Sequence, residues 1–218
     1  MIEQFSKYFA SISTFFKKKP FENIDIDYSL KDLQMTTFKD GVFKNCLFLK
    51  TELDNTRILG NVKFEDCTFA HLNLTNTSIG NHKGFYSNCV FEKCNFKGQL
   101  FDFTRFVNCT FKNCELLNIN FSASSFHDCK FIGKLDDVTF NGIYDINKSP
   151  YQTLELVDFS EAIFGNFVSF YDCDLSSCKP PKGKTFDDLL YFLFSDSSRV
   201  LSTGSKDRIV INHNPAPI

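Results

Sequence analysis

The chain has 218 residues, a net charge of −2, 28 Phe, 7 Tyr, no Trp and 9 Cys. That length suits one domain of ordinary size, and so much phenylalanine demands a large interior in which the rings stack. The small net charge names no partner class, and no run approaches the ~18–20 apolar residues of a membrane span. Nine cysteines without a signal peptide or a framework spacing read as free thiols, which places the protein in a reducing cytoplasm.

The N-terminal stretch carries Ile2, Phe5, Phe9, Ile12 and Phe16 at three- and four-residue spacing, closed by Pro20. This predicts an amphipathic capping helix over 1–20. The Lys17-Lys18-Lys19 run suits the negative end of that helix, and three lysines fall short of the 4–8 of a polybasic lipid site.

From residue 28 the period changes. Apolar anchors fall five residues apart at Tyr28, Leu33, Phe38, Phe43, Phe48, Leu53 and Ile58. One extra residue intervenes before Phe64, Phe69, Leu74 and Ile79, and two more before Tyr86. An unbroken series then runs from Phe91 through Phe131, followed by Leu135, Phe140, Phe159, Phe164, Phe170 and Leu175. Helices want spacings of three and four and half-buried strands want two, so neither fits.

Eight of the nine cysteines (46, 67, 89, 94, 109, 114, 129 and 173) sit two residues before an anchor, and Cys178 sits two before Pro180, where the series stops. In extended backbone that position points the same way as the anchor. The residues after the anchor favour turns: Asn45, Asp66, Asn88, Asn108, Asn113 and Asp128. Each unit is a short extended side followed by a turn, and four sides close a square coil of about twenty residues. Stepping four anchors from Phe48 gives Phe69, Phe91, Phe111 and Phe131, each with Cys two residues earlier. The inserted residues therefore belong at corners.

This wording resembles the pentapeptide repeat family, over roughly residues 28–178. The resemblance implies an all-β solenoid, a right-handed quadrilateral β-helix of about six to seven coils, capped by short N- and C-terminal helices. The segment 141–157 lacks anchors in register and reads as a projecting loop. A second helix is predicted over 184–195, with Phe186, Leu189, Leu190, Leu193 and Phe194 on its apolar stripe and Asp187 and Asp188 in its first turn. The polar tail 196–218 reads as poorly ordered.

No C-x-x-C, H-E-x-x-H, nucleophile elbow or phosphate-binding glycine loop occurs. His71, His82, His127 and His213 stand in no catalytic spacing. No enzyme, metal or cofactor is expected. The distinctive feature is charge: residues 28–135 carry 13 Lys/Arg and 10 Asp/Glu, whereas 136–178 carry 8 Asp/Glu and one Lys. Asp136, Asp137, Asp145, Glu155, Asp158, Glu161, Asp172 and Asp174 form the candidate acidic interaction surface.

The resemblance extends to quinolone-resistance and microcin-immunity members of the family. It implies a protein partner, with DNA gyrase or topoisomerase IV the target, protected from a poison by partial DNA mimicry. It implies no direct nucleic-acid contact and a homodimer through the C-terminal helix. The alternative is an interaction scaffold, such as a secreted effector or an immunity or regulatory protein with a different target.

Overall fold

A computed structural model describes residues 20–79, 83–142, 153–171, 173–189 and 209–211. Short strands pair in parallel with the strand one coil later: Arg105–Val107 lies between Phe85–Ser87 and Ser125–His127, and Thr110–Lys112 lies between Val90–Glu92 and Lys130–Asn141. The chain is a parallel β-solenoid of about six turns.

Each coil has four sides, and each side points one anchor inward. The first face stacks Phe43, Phe64, Tyr86, Phe106, Phe126 and Leu154; the second stacks Tyr28, Phe48, Phe69, Phe91, Phe111, Phe131 and Phe159. The third is mostly leucine, with Leu53, Leu74, Leu116 and Leu135 around Phe96 and Phe164. The fourth holds Phe38, Ile58, Ile79, Phe101, Phe121, Phe140 and Phe170. Rings within the second column lie 4.8–5.2 Å apart and nearly parallel. Rings on adjacent faces meet edge-on, as Phe106 and Phe111 do at 5.3 Å. Both arrangements suit the quadrupole of the aromatic ring.

The position two before each anchor has its own task. Cys67 donates from Sγ to the Phe43 carbonyl, Cys89 to Phe64, Cys109 to Tyr86, Cys94 to Phe69 and Cys114 to Phe91. Thr56 and Thr77 do the same for Leu33 and Leu53, and Ser124 for Phe101. A small donor here satisfies a carbonyl buried in the coil below, which explains why the sequence chooses Cys, Thr and Ser. Every cysteine is free. Burial in this apolar interior pushes the Cys129 thiol upward, and pushes Cys178 up to about 11.

Corners are built by the residue two after most anchors, which takes positive φ. Asp25, Asn45, Asp66, Asn88, Asn108 and Asp128 do so along one corner, with φ between 50° and 56°. Asn and Asp tolerate this region best among side-chain-bearing residues.

The departures from five are also placed. The extra residues after Ile58, Ile79 and Phe140 all fall where the fourth face turns into the first. A further residue between Phe164 and Phe170 falls at another corner. Only four residues separate Phe131 from Leu135. Gly133, at φ 101°, makes that shortened corner, and an added Cβ would sit 3.2 Å from the Asn113 Cα.

Three expectations are revised. Residues 154–157 are not loop: Leu154 stacks as an anchor against Phe126, and Val157 occupies the buried position before Phe159. Counting by fives lost the phase because the insertion before Leu154 is long. The tail is not uniformly irregular, since Ile209–Ile211 pairs antiparallel with Val168–Tyr171 and covers that edge of the last coil. The predicted C-terminal helix is seen as Phe186–Leu189, with Lys184 and Thr185 just before it not helical; 190–195 lies outside the described residues, as does the predicted N-terminal helix up to residue 19.

Candidate interaction surfaces

The interior is filled by anchors, so recognition chemistry lies on the outer faces and corners. The acidic candidates were adjacent in sequence, but sides of five residues carry them to different faces. Glu155 and Asp174 flank first-face anchors, Asp158 lies on the second face, and Glu161 pairs with Ile132, one residue before the position of the Gly133 corner. Asp136 lies on the third face and Asp137 at the corner that follows it, with φ 53°. Asp145 and Asp172 lie outside the described residues.

Most of these carboxylates have partners. Lys134 Nζ donates to Asp136 at 2.6 Å and Lys130 Nζ to Glu161 at 2.5 Å. His127 Nδ1 meets Glu155 at 2.9 Å, and Lys179 Nζ meets Asp158 at 3.5 Å. The hydrogen bond from Lys134, helped by the Asn166 N–H, holds the Asp136 carboxyl below its ordinary range against the opposing effect of burial. The backbone and side chain of Ser176 do the same for Asp174. The charge excess of 136–178 is thus spread over three faces and partly neutralised by Lys134 nearby in sequence and by Lys130, His127 and Lys179 from 21 to 31 positions away.

Sequence reasoning missed the opposite sign. Lys50, His71 and Lys93 occupy the same corner in successive coils, all at positive φ, beside the Lys112–Glu92 ion pair at 3.0 Å. The signal was available in the residue two after each second-face anchor.

The candidate dimer residues divide. Phe186 and Leu189 are buried in their own chain, with Phe186 edge-on to Phe170 at 6.3 Å and to Phe159 at 6.4 Å. Thr185 and Asp188 close the helix start reciprocally: the Asp188 N–H donates to Thr185 Oγ1 at 3.1 Å, and the Thr185 N–H to Asp188 Oδ2 at 2.8 Å. Leu190, Leu193 and Phe194 lie outside the described residues. Among the described residues no group of three or more His, Cys, Asp or Glu is gathered to hold a metal ion, and no helix is long and apolar enough to cross a membrane.

Four inward columns, a turn residue at positive φ after most anchors and parallel pairing at about twenty-residue intervals decide the architecture. This is a four-sided parallel β-solenoid built on a five-residue repeat. Among solved structures it is similar to full-length QnrB1, a plasmid-mediated fluoroquinolone resistance protein. The identity is 14%, the TM-score 0.28, and the match covers 77% of this chain and 90% of that one. It is also similar to HetL, a pentapeptide repeat protein involved in heterocyst differentiation regulation in the cyanobacterium Nostoc. There the identity is 10%, the TM-score 0.22, and the coverage 78% and 89%. No family model and no curated relative matches the chain.

Proposed function

We propose that this pentapeptide-repeat solenoid is a non-enzymatic protein-binding scaffold. The filled aromatic interior carries the reading: rings from adjacent faces meet at 5–6 Å along the rod, leaving the outer faces and corners to supply specificity. Those outer surfaces mix a basic corner with paired acidic coils, which fits a partner of mixed charge. Purified chain immobilised on resin, with one set of outer residues reversed in charge (Lys50→Glu, Lys93→Glu) as the control, tests it. A protein retained by the native chain and lost from the control supports the reading; identical capture by both counts against it.

A second reading is protection of DNA gyrase or topoisomerase IV by partial DNA mimicry, favoured by the eight acidic residues against one lysine in 136–178. A duplex carries about one charge per 1.7 Å of axis, and the pairing of Asp136, Glu155, Asp158 and Glu161 weakens the match. The decisive assay is gyrase supercoiling in the presence of ciprofloxacin. Rescue at stoichiometric protein, lost on neutralising Asp137, Asp158, Glu161 and Asp174, supports protection. Absence of rescue removes gyrase as the target and leaves the scaffold reading standing.

A further inference from the structure

One outer face breaks with the charge pattern of the rod. Anchors of the second face alternate with outward residues, and in three successive coils these are Leu47 and Leu49, then Thr68 and Ala70, then Val90. Leu47, Leu49 and Thr68 are half-buried and Val90 is 36% exposed. The other faces carry charge at these heights: Lys44, Lys63 and Glu65 on the first, Glu52 and Asp54 on the third, Lys39 and Arg57 on the fourth. Five consecutive uncharged outward positions therefore make a flat apolar strip on one sheet.

The two corners that border the strip are unlike. On the side after each anchor stand Lys50, His71 and Lys93, and on the side before it stand Asn45, Asp66, Asn88 and Asn108. The second set is laced side chain to side chain, from Asn108 to Asn88 and from Asn88 to Asp66. Further along the same face the charges are already engaged, Glu92 with Lys112 and Lys130 with Glu161.

We infer that this strip is a self-association face, and that its occupant is the same strip of a second copy. Flat sheets pack face to face about 10 Å apart with their strands nearly aligned. Two two-fold arrangements do this. With the axis along the rod, each basic corner lies on the partner's amide-and-carboxylate corner at the same height. Lys50 stands against the partner's Asn45, His71 against the partner's Asp66 and Lys93 against the partner's Asn88. Leu47 then meets the partner's Leu49, and Thr68 the partner's Ala70. With the axis across the rod, Lys50, His71 and Lys93 face their own kind. Charge complementarity selects the first arrangement. Strands of three residues make the face about 10 Å wide, and four coils make it about 20 Å long. Even with both corners that area falls well below the ~800 Å² per partner of a stable complex, so the dimer is weak and forms only at high protein concentration. The contact is separate from the C-terminal helix and goes beyond the scaffold reading.

Sedimentation velocity of the full-length chain from ~10 µM to ~1 mM tests the inference. The mass should rise toward twice that of the monomer as concentration increases. His71→Asp sets a carboxylate against the partner's Asp66 and should weaken association ~10-fold. Adding Asp66→Asn should restore it, because Asn tolerates the positive φ, still accepts from Asn88 and donates its amide to the new carboxylate. A misfolded chain would not recover in this way. Leu47→Lys should also weaken association ~10-fold, with the melting temperature unchanged. A chain that is monomeric throughout the range overturns the inference. So does association indifferent to His71→Asp and Leu47→Lys, which puts the contact elsewhere. Association tightened by His71→Asp overturns it as well, because that is the result of the like-on-like arrangement, and so does a double variant that fails to recover.

Discussion

Asn108 donates from Nδ2 to Asn88 Oδ1 at 2.9 Å, although twenty residues separate them. Asn88 in turn donates to Asp66 at 2.9 Å, and Asn45 donates to Asp25 at 2.7 Å. One corner of the solenoid is thus laced by side-chain amides and carboxylates, each at positive φ. Two causes, backbone tolerance and the ladder, select Asn and Asp here. Asn88→Gly keeps the backbone conformation and loses the ladder, whereas Asn88→Ala loses both. Alanine should cost about 1 kcal/mol more than glycine in urea unfolding. Equal costs would mean that the backbone contributes nothing.

Tyr86 stands in a column of phenylalanines, 4.9 Å from Phe64 and 5.1 Å from Phe106, fully buried. Its hydroxyl has no hydrogen-bond partner. Burial first, then the nearby thiols of Cys89, Cys109 and Cys67, push its pKa well above the ordinary tyrosine value. Tyr86→Phe should stabilise the rod by about 1 kcal/mol, because it removes an unsatisfied buried group and preserves the stack. A lower urea midpoint for the variant would contradict this.

Gly133 and Gly98 both take positive φ, at 101° and 74°, but only Gly133 is crowded, with Asn113 Oδ1 3.0 Å from the position of an added Cβ. Gly133→Ala should cost more than about 2 kcal/mol and Gly98→Ala about 1 kcal/mol. The difference tests whether the four-residue spacing from Phe131 to Leu135 needs a bare backbone. Paired thermal melts of the two variants would measure it.

Asp136 and Asp174 have depressed carboxyl pKa values in the folded chain. A depressed folded value gives stability that is present above the unfolded pKa of about 3.9 and lost as pH falls through the folded value. Melting temperature should therefore drop between about pH 5 and pH 2. Asp136→Asn should shrink the drop, because the amide oxygen still accepts from Asn166 but no longer titrates. An unchanged profile would show that the Lys134 contact contributes nothing in solution.

The repeating part of this fold was legible because each residue type answers to one demand. Phe48, Phe69, Phe91, Phe111 and Phe131 were assigned to one column from spacing alone, and their rings stack there at 4.9–5.0 Å in most steps. Leu154 was not legible, because an insertion of unknown length erases the phase and a lone leucine cannot restore it. The distribution of the acidic residues was not legible for a geometric reason. Glu161 and Lys130 are 31 residues apart, and only the full register brings them together. Charge counted along the chain measures composition, whereas a partner meets the charge on a face.

The edge between the fourth and first faces takes the extra residues after Ile58, after Ile79 and after Phe140. Such an edge separates two design variables that most folds couple. Rod length grows in whole coils, while ornament grows on this seam by any number of residues without shifting an anchor. A foreign peptide grafted after Asp102 or Ser122 would emerge from the same seam, in line with the native insertions, at a height chosen by the coil that carries it.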